Sequence, residues 1–118
     1  MPILRFKGVG KQPLQDMAPT LIKEVARIIE IPEDIVKIEL LPIEQITDTP
    51  PILEILMFQR EKEKHDALAA SLYQILRQYG YDTIHIFYIP LTHSLYYKEG
   101  KPLSGIPGNA RMTTYMYP

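Results

Sequence analysis

Arg5, Glu39, Glu54 and His85 are the residues whose types could together move a proton. Each interrupts an apolar run: ILRFK, KIELL, ILEILMF and IHIFYI. A carboxylate set beside a guanidinium in poorly hydrated surroundings has a perturbed pKa, which is what a general acid or base needs. The same four groups can equally form a charge ladder inside an interface between molecules, with no reaction at all. The ladder is the plainer reading, and both stay open at this point. Other chemistries fail on spacing. Gly8-Val9-Gly10-Lys11 lacks the length and the following Ser or Thr of a phosphate loop. His65, His85 and His93 have no metal-ligand spacing, and there is no cysteine for a thiolate site or a disulfide. No nucleophile elbow and no Ser-His-Asp order is visible. No cofactor is implied.

The elements that must position these residues follow from periodicity. Residues 2–7 alternate and predict a first strand. Leu14, Met17, Ala18, Leu21, Ile22, Val25, Ile28 and Ile29 recur at the spacing of one helical face. Pro19 falls inside that pattern, so either the helix kinks there or the helix proper begins near it. Pro32 bars further helix. Strand two is expected over Ile35 to Leu41 and strand three over Ile52 to Phe58. A second helix carries Leu68, Leu72, Ile75, Leu76 and Tyr79 on one face and ends at a left-handed Gly80. Strand four is expected over Ile84 to Ile89, and Tyr96 to Lys101 can form a small hairpin. Residues 91–118 read as a C-terminal arm, its last ten residues as an arm or a frayed tail.

This plan occurs twice. Pro2-Ile3-Leu4 and Pro51-Ile52-Leu53 open two units, residues 2–42 and 51–90, at an offset of 49. Their closing strands, Asp34 to Pro42 and Asp82 to Pro90, match at an offset of 48. A duplicated strand-helix-strand unit explains both matches. The fold class is therefore α+β: one four-stranded mixed sheet in a single domain of 118 residues, with both helices on one face. A ferredoxin-like fold, with the same order of elements but interleaved strands, is the competitor.

One face of such a sheet is fully apolar: Leu4, Phe6, Val36, Ile38, Leu40, Leu53, Ile55, Met57, Ile84, Ile86 and Tyr88. The other mixes Arg5, Lys7, Lys37, Glu39, Glu54 and His85 with Ile3, Leu41, Leu56, Phe58, Phe87 and Ile89. It is too apolar for open water and too charged for a monomer core, so a symmetric oligomer is expected to cover it. A net charge of −1 without like-charge blocks favours neither nucleic acid nor an anionic membrane. No apolar run approaches the roughly 18 residues of a spanning helix, and the start MPILRFKG lacks a signal-peptide layout. A cytoplasmic protein is the expectation.

The Met-Pro start, the helix containing Thr20-Leu21-Ile22-Lys23-Glu24-Val25 and the repeat of the whole plan resemble the tautomerase superfamily. That superfamily includes oxalocrotonate tautomerase and macrophage migration inhibitory factor. More closely, MPILRFKGV, KIELL, PILEILMFQR and FYIPL…YYKEG resemble a bacterial family of single-domain, tautomerase-like proteins of unassigned function. The resemblance spans residues 2 to about 103. It implies a homotrimer whose uncovered sheet faces line the interior. It also implies that Pro2, freed of Met1, acts as base on a small carboxylated keto or enol acid. A retained Met1 makes the Pro2 nitrogen a tertiary amide, which is no base. Where the superfamily places substrate-binding arginines, this chain has Lys37 on strand two and Lys11 or Gln12 in the first loop. Neither lysine reproduces bidentate carboxylate binding. Arg60 is the remaining cation for the carboxylate, and Tyr88, Tyr96 and Tyr97 are candidates for a pocket wall. The alternative is a trimer of the same fold that binds small molecules or partners without catalysis.

Overall fold

The computed structural model describes residues 2–103. β1 (Ile3–Lys7) leads into α1 (Lys11–Ile29), a 3-10 turn (Glu33–Ile35) and β2 (Lys37–Leu41). β3 (Ile52–Phe58), α2 (Lys62–Gln78) and β4 (His85–Leu91) repeat that plan. A second 3-10 turn (His93–Leu95) then precedes two short strands, β5 (Tyr97–Lys98) and β6 (Lys101–Pro102). The sheet order is β2-β1-β3-β4. β2 lies parallel to β1, β4 lies parallel to β3, and β1 and β3 meet antiparallel. Each strand-helix-strand unit thus pairs within itself, which rules out the interleaved ferredoxin-like order. The part of the expected arm from residue 104 onward, and Met1, lie outside the described residues.

Local chemistry sets the boundaries. α1 starts at Lys11 and runs through Pro19, so the helix does not begin there. Pro19 is exposed, which spares its ring a clash with packed neighbours. Glu30 closes the helix in the left-handed region (φ 66°), its N–H donating to the Ala26 carbonyl at 2.9 Å. The stop therefore precedes Pro32 by two residues. β2 begins at Lys37 rather than Ile35 because Glu33–Ile35 closes its own turn, with the Val36 N–H on the Glu33 carbonyl at 3.1 Å. β4 continues through Pro90 to Leu91, which an edge strand tolerates because only one side of it needs donors. Gly8 turns the chain out of β1 at φ 77°, and a Cβ there would meet the Pro51 Cα at 3.2 Å. The small hairpin is present: Glu99 (φ 53°) and Gly100 (φ 80°) form the left-handed pair that a two-residue loop between β5 and β6 requires.

Both helices cover one face of the sheet. Leu4, Phe6, Leu53 and Ile55 are fully buried there, in one cluster with Met17, Leu21 and Val25 of α1 and Leu68, Leu72 and Leu76 of α2. No helix of the described residues is long and apolar enough to cross a membrane. A polar clip joins the helices: Glu24 accepts from Ser71 Oγ at 2.6 Å and from Arg27 Nη2 at 2.7 Å. Hydrogen bonds from Arg27 first and Ser71 second hold the Glu24 carboxyl down at about 2. A depressed carboxylate stabilises the fold above its unfolded value of 4.5, and that stability is lost as pH falls toward 2. Ser71→Ala is expected to raise the Glu24 pKa and narrow that acid window, read by NMR titration of the side-chain carboxyl. An unmoved pKa would mean that Ser71 does not hold Glu24.

Candidate functional site

The uncovered face carries the charged residues, and register decides which of them meet. Arg5 stands between Glu39 of β2 and Glu54 of β3. Its Nε lies 3.3 Å from Glu39 Oε1, and its Nη1 lies 3.8 Å from Glu54 Oε1. Lys7 Nζ takes the other Glu54 oxygen at 3.0 Å. Glu54 is buried, the only buried charged residue among those described. His85 does not extend this row: it pairs with Ile52, while Glu54 faces Phe87. Both oxygens of the buried carboxylate are engaged by cations and no histidine joins them, so the arrangement is a charge ladder rather than an acid-base pair.

The end of the sheet where β1 begins gathers different groups. Pro2 is buried, and its carbonyl accepts the Lys37 N–H at 3.1 Å. Lys37 thus lies beside Pro2 through its backbone, while its ammonium donates to the Asp34 carbonyl at 2.9 Å. β3 runs antiparallel to β1, so its last residues, Phe58 and then Gln59 and Arg60, emerge at this same end. Phe58 points to the uncovered face and is nonetheless buried. His93 stacks on it at 3.8 Å and 13°, and Tyr96 meets it edge-on at 5.3 Å. Arg60 is anchored by Nη1 on the Ile29 carbonyl at 3.1 Å, at the end of α1.

Of the expected site residues, Pro2, Lys37, Arg60 and Tyr96 therefore share one end of the sheet. Lys11 does not join them. It opens α1 after β1 has crossed the sheet, and it borders a groove with Ile38 and Leu40. Tyr88 lies on the helix-covered face, the opposite one from Phe58. Its hydroxyl donates to the His65 carbonyl at 2.8 Å, and burial, then the Asp66 charge, pushes its pKa up to about 12. The third tyrosine, Tyr97, is exposed in the hairpin.

Two histidines matter more than their sequence positions suggested. His65 projects from α2 against the Tyr88 ring (4.3 Å, 78°), and its Nε2 accepts the Arg60 N–H at 2.9 Å. A signal was present: His65 precedes Leu68 by three residues and so extends the apolar stripe of α2. His93, in the turn after β4, left no periodic trace. Burial first, then the neighbouring Arg60 charge, lowers the pKa of both. With folded values below the unfolded 6.5, their neutral state is fully compatible with folding above that pH. Stability is lost as pH falls below 6.5 toward the depressed values. His65→Leu is expected to flatten the pH dependence of the urea midpoint in that window. An unchanged slope would show that His65 does not cause it.

A protein of unknown function from Vibrio cholerae superposes with a TM-score of 0.80 at 26% identity, covering 86% of each chain. A domain of unknown function (DUF1904) from Sebaldella termitidis gives 0.77 at 27% identity, covering 85% of this chain and 97% of that one. A fused 4-OT, a wild-type asymmetric trimer, gives 0.71 at 15% identity, covering 86% and 95%; that likeness shows the fold alone. The fold is that of the tautomerase superfamily. No curated protein matches the chain. Residues 1–102 match the family described as Domain of unknown function (DUF1904), and the chain belongs to that family.

Proposed function

We propose that this protein is a homotrimeric tautomerase acting on a small carboxylated keto or enol acid, with Pro2 as its base. The observation that carries the reading is the placement of Pro2. Its ring is buried and its carbonyl is fixed in the sheet by the Lys37 N–H, at the end where Phe58, Arg60 and Tyr96 collect. Once Met1 is removed, the proline nitrogen is a secondary amine in poorly hydrated surroundings, which lowers its pKa toward working pH. It takes a proton from the carbon beside the carbonyl and returns it at the other end of the enol. Arg60, with five donors in a planar fork and its position set by Ile29, binds the substrate carboxylate; Lys37 assists as a point charge. Lys11, at the far end of its own sheet, reaches a Pro2 site only from a neighbouring copy.

The trimer is supported by the uncovered face, where Phe87 and Leu41 stand exposed beside the Arg5 ladder, and by the trimeric fused 4-OT of the same fold. Two measurements test the proposal. Intact mass of protein from its natural host is expected to be short by one methionine, and that protein to tautomerise phenylpyruvate. Sedimentation at micromolar concentration is expected to give three chains. Retention of Met1 would leave the second reading, a non-catalytic trimer that binds a small molecule. What favours that reading is lysine in place of arginine at positions 11 and 37, with the Lys37 ammonium turned to a main-chain carbonyl.

The ladder reports on assembly as well. Arg5 and Glu39 are partly open to solvent in one chain, at 31% and 50% side-chain exposure. Arg5→Ala is therefore expected to lower the stability of a dissociated chain by only about 0.2–1 kcal/mol. The loss grows once sister molecules seal the face and leave Glu54 with one cation fewer. Urea denaturation above and below the association concentration reads the difference. Equal losses at both would mean that this face stays in water.

A further inference from the structure

Each strand-helix-strand unit leaves a groove between its helix and its outer strand, and duplication makes the two grooves comparable position by position. The first, between α1 and β2, is bordered by Lys11, Leu14, Gln15, Ala18, Ile38 and Leu40. The second, between α2 and β4, has Lys62, His65, Asp66, Ala69, Ile86 and Tyr88 at the corresponding places. The helix positions correspond at an offset of 51 and the strand positions at 48. Lysine, alanine and isoleucine are unchanged between the two. The other three differ in one direction: Leu14 corresponds to His65, Gln15 to Asp66, and Leu40 to Tyr88. The first groove, with its two leucines, has a volume of about 240 Å³; the second, which Met57, Gln59 and Pro90 also border, has about 500 Å³. Packing alone is met by the leucines, so the polar replacements need another cause.

The hydrogen bonding of His65 supplies it. Nε2 accepts the Arg60 N–H, so in the neutral ring the proton sits on Nδ1. Nδ1 is buried and has no hydrogen-bond partner among the described residues. Native structures rarely leave such a donor unmet. Tyr88 donates to the His65 carbonyl and packs its ring against the imidazole, which fixes one wall. Lys62 and Asp66 pair at 2.6 Å across the exposed mouth. Met57, Ile86 and Pro90 add apolar surface. Pro2 does not line this groove.

We propose that the α2–β4 groove is a second binding site, for a small, mostly apolar molecule bearing one carboxylate or carbonyl acceptor. The apolar body lies on Met57, Ile86 and Pro90 with its acceptor toward the Lys62 ammonium at the mouth, and the acceptor meets the covered Nδ1–H as the Tyr88 ring swings off His65. The site does not depend on the proline chemistry, and its test is independent of turnover.

Benzoate is the probe, titrated into the full ¹⁵N-labelled chain in its native assembly, with benzylamine as a probe of the same body and the opposite head group. Benzoate is expected to shift the amides of Arg60, His65, Asp66 and Tyr88 together with the His65 ring nitrogens. Amides of the matching first groove, Leu14 to Ala18, stay put, and benzylamine produces no such pattern. His65→Leu, which restores the leucine of the first groove, is expected to weaken benzoate about tenfold or more. His65→Asn, which keeps a donor near the place of Nδ1, recovers part of that loss. Lys62→Ala, which removes the exposed cation at the mouth together with its ion pair to Asp66, is expected to weaken benzoate as well. Absence of benzoate shifts up to its solubility limit, equal shifts in both grooves, equal binding of benzylamine, or unchanged affinity in Lys62→Ala and His65→Leu would each overturn the proposal.

Discussion

Pro2→Ala is expected to slow phenylpyruvate tautomerisation by about 10²–10⁴-fold in protein that has lost Met1, the range that one positioned general base contributes. Alanine still offers an amine, so the loss comes from geometry. The proline ring restricts the backbone turn at residue 2 and is buried, which aims the nitrogen; an alanine amine rotates freely. The effect is expected in kcat more than in KM, because the proposed mechanism gives the substrate carboxylate to Arg60 and Lys37 and not to the base. The fold is expected to survive, since the Lys37 N–H bonds the carbonyl of residue 2, which any residue provides. A base must be unprotonated, so on the proposed mechanism activity rises with pH through the pKa of the proline amine. A variant as fast as the parent would remove Pro2 from the chemistry and leave any activity to another group.

The fold was readable from the sequence because its two periods are clean. Leu4 and Phe6 alternate with Arg5 and Lys7, and β1 buries that first pair completely. The stripe from Leu14 to Ile29 buries as one helical face despite Pro19, because that proline points to solvent and packing of the stripe outweighs one lost hydrogen bond. The site was less readable, for three physical reasons. Register across strands is not periodic information. Whether Glu54 faces His85 or Phe87 is a shift of two residues that leaves every side chain on its face, and the structure chooses Phe87. The contact of His93 and Tyr96 with Phe58 spans a turn and 35 or more residues, where no pattern links partners. Tyr88 and Tyr96 both suit a pocket wall by type, but they fall on opposite faces of the sheet, which separates them whatever the side-chain chemistry. His65 shows the converse case. As a histidine on a helix it reads as a surface or helix-face residue, and only its place in the stripe marks it as packed.

Phe6→Ala is expected to destabilise the protein by about 3–5 kcal/mol, the usual range for truncating a buried aromatic. Phe6 is fully buried and faces Leu40 on one side and Leu53 on the other, beneath the helices, so the void it leaves has sheet around it and cannot collapse easily. Against a total of about 5–15 kcal/mol for a typical domain, that is a third or more of the stability. Ile46, 90% exposed in the loop before β3, is the control: Ile46→Ala is expected to change stability by less than about 0.5 kcal/mol. Urea midpoints measure both, with unchanged slopes showing that the loss is one of stability and not of compactness. A loss under about 1 kcal/mol for Phe6→Ala would mean that the two helices do not seal this face. The same experiment separates folding from assembly. β1 carries the core on Phe6 and the exposed ladder on Arg5 and Lys7, facing opposite ways. If three chains close over the ladder, the midpoints of parent and variant both rise with protein concentration by mass action. The gap between them is expected to stay constant, because Phe6 is buried under the helices, on the face opposite the ladder.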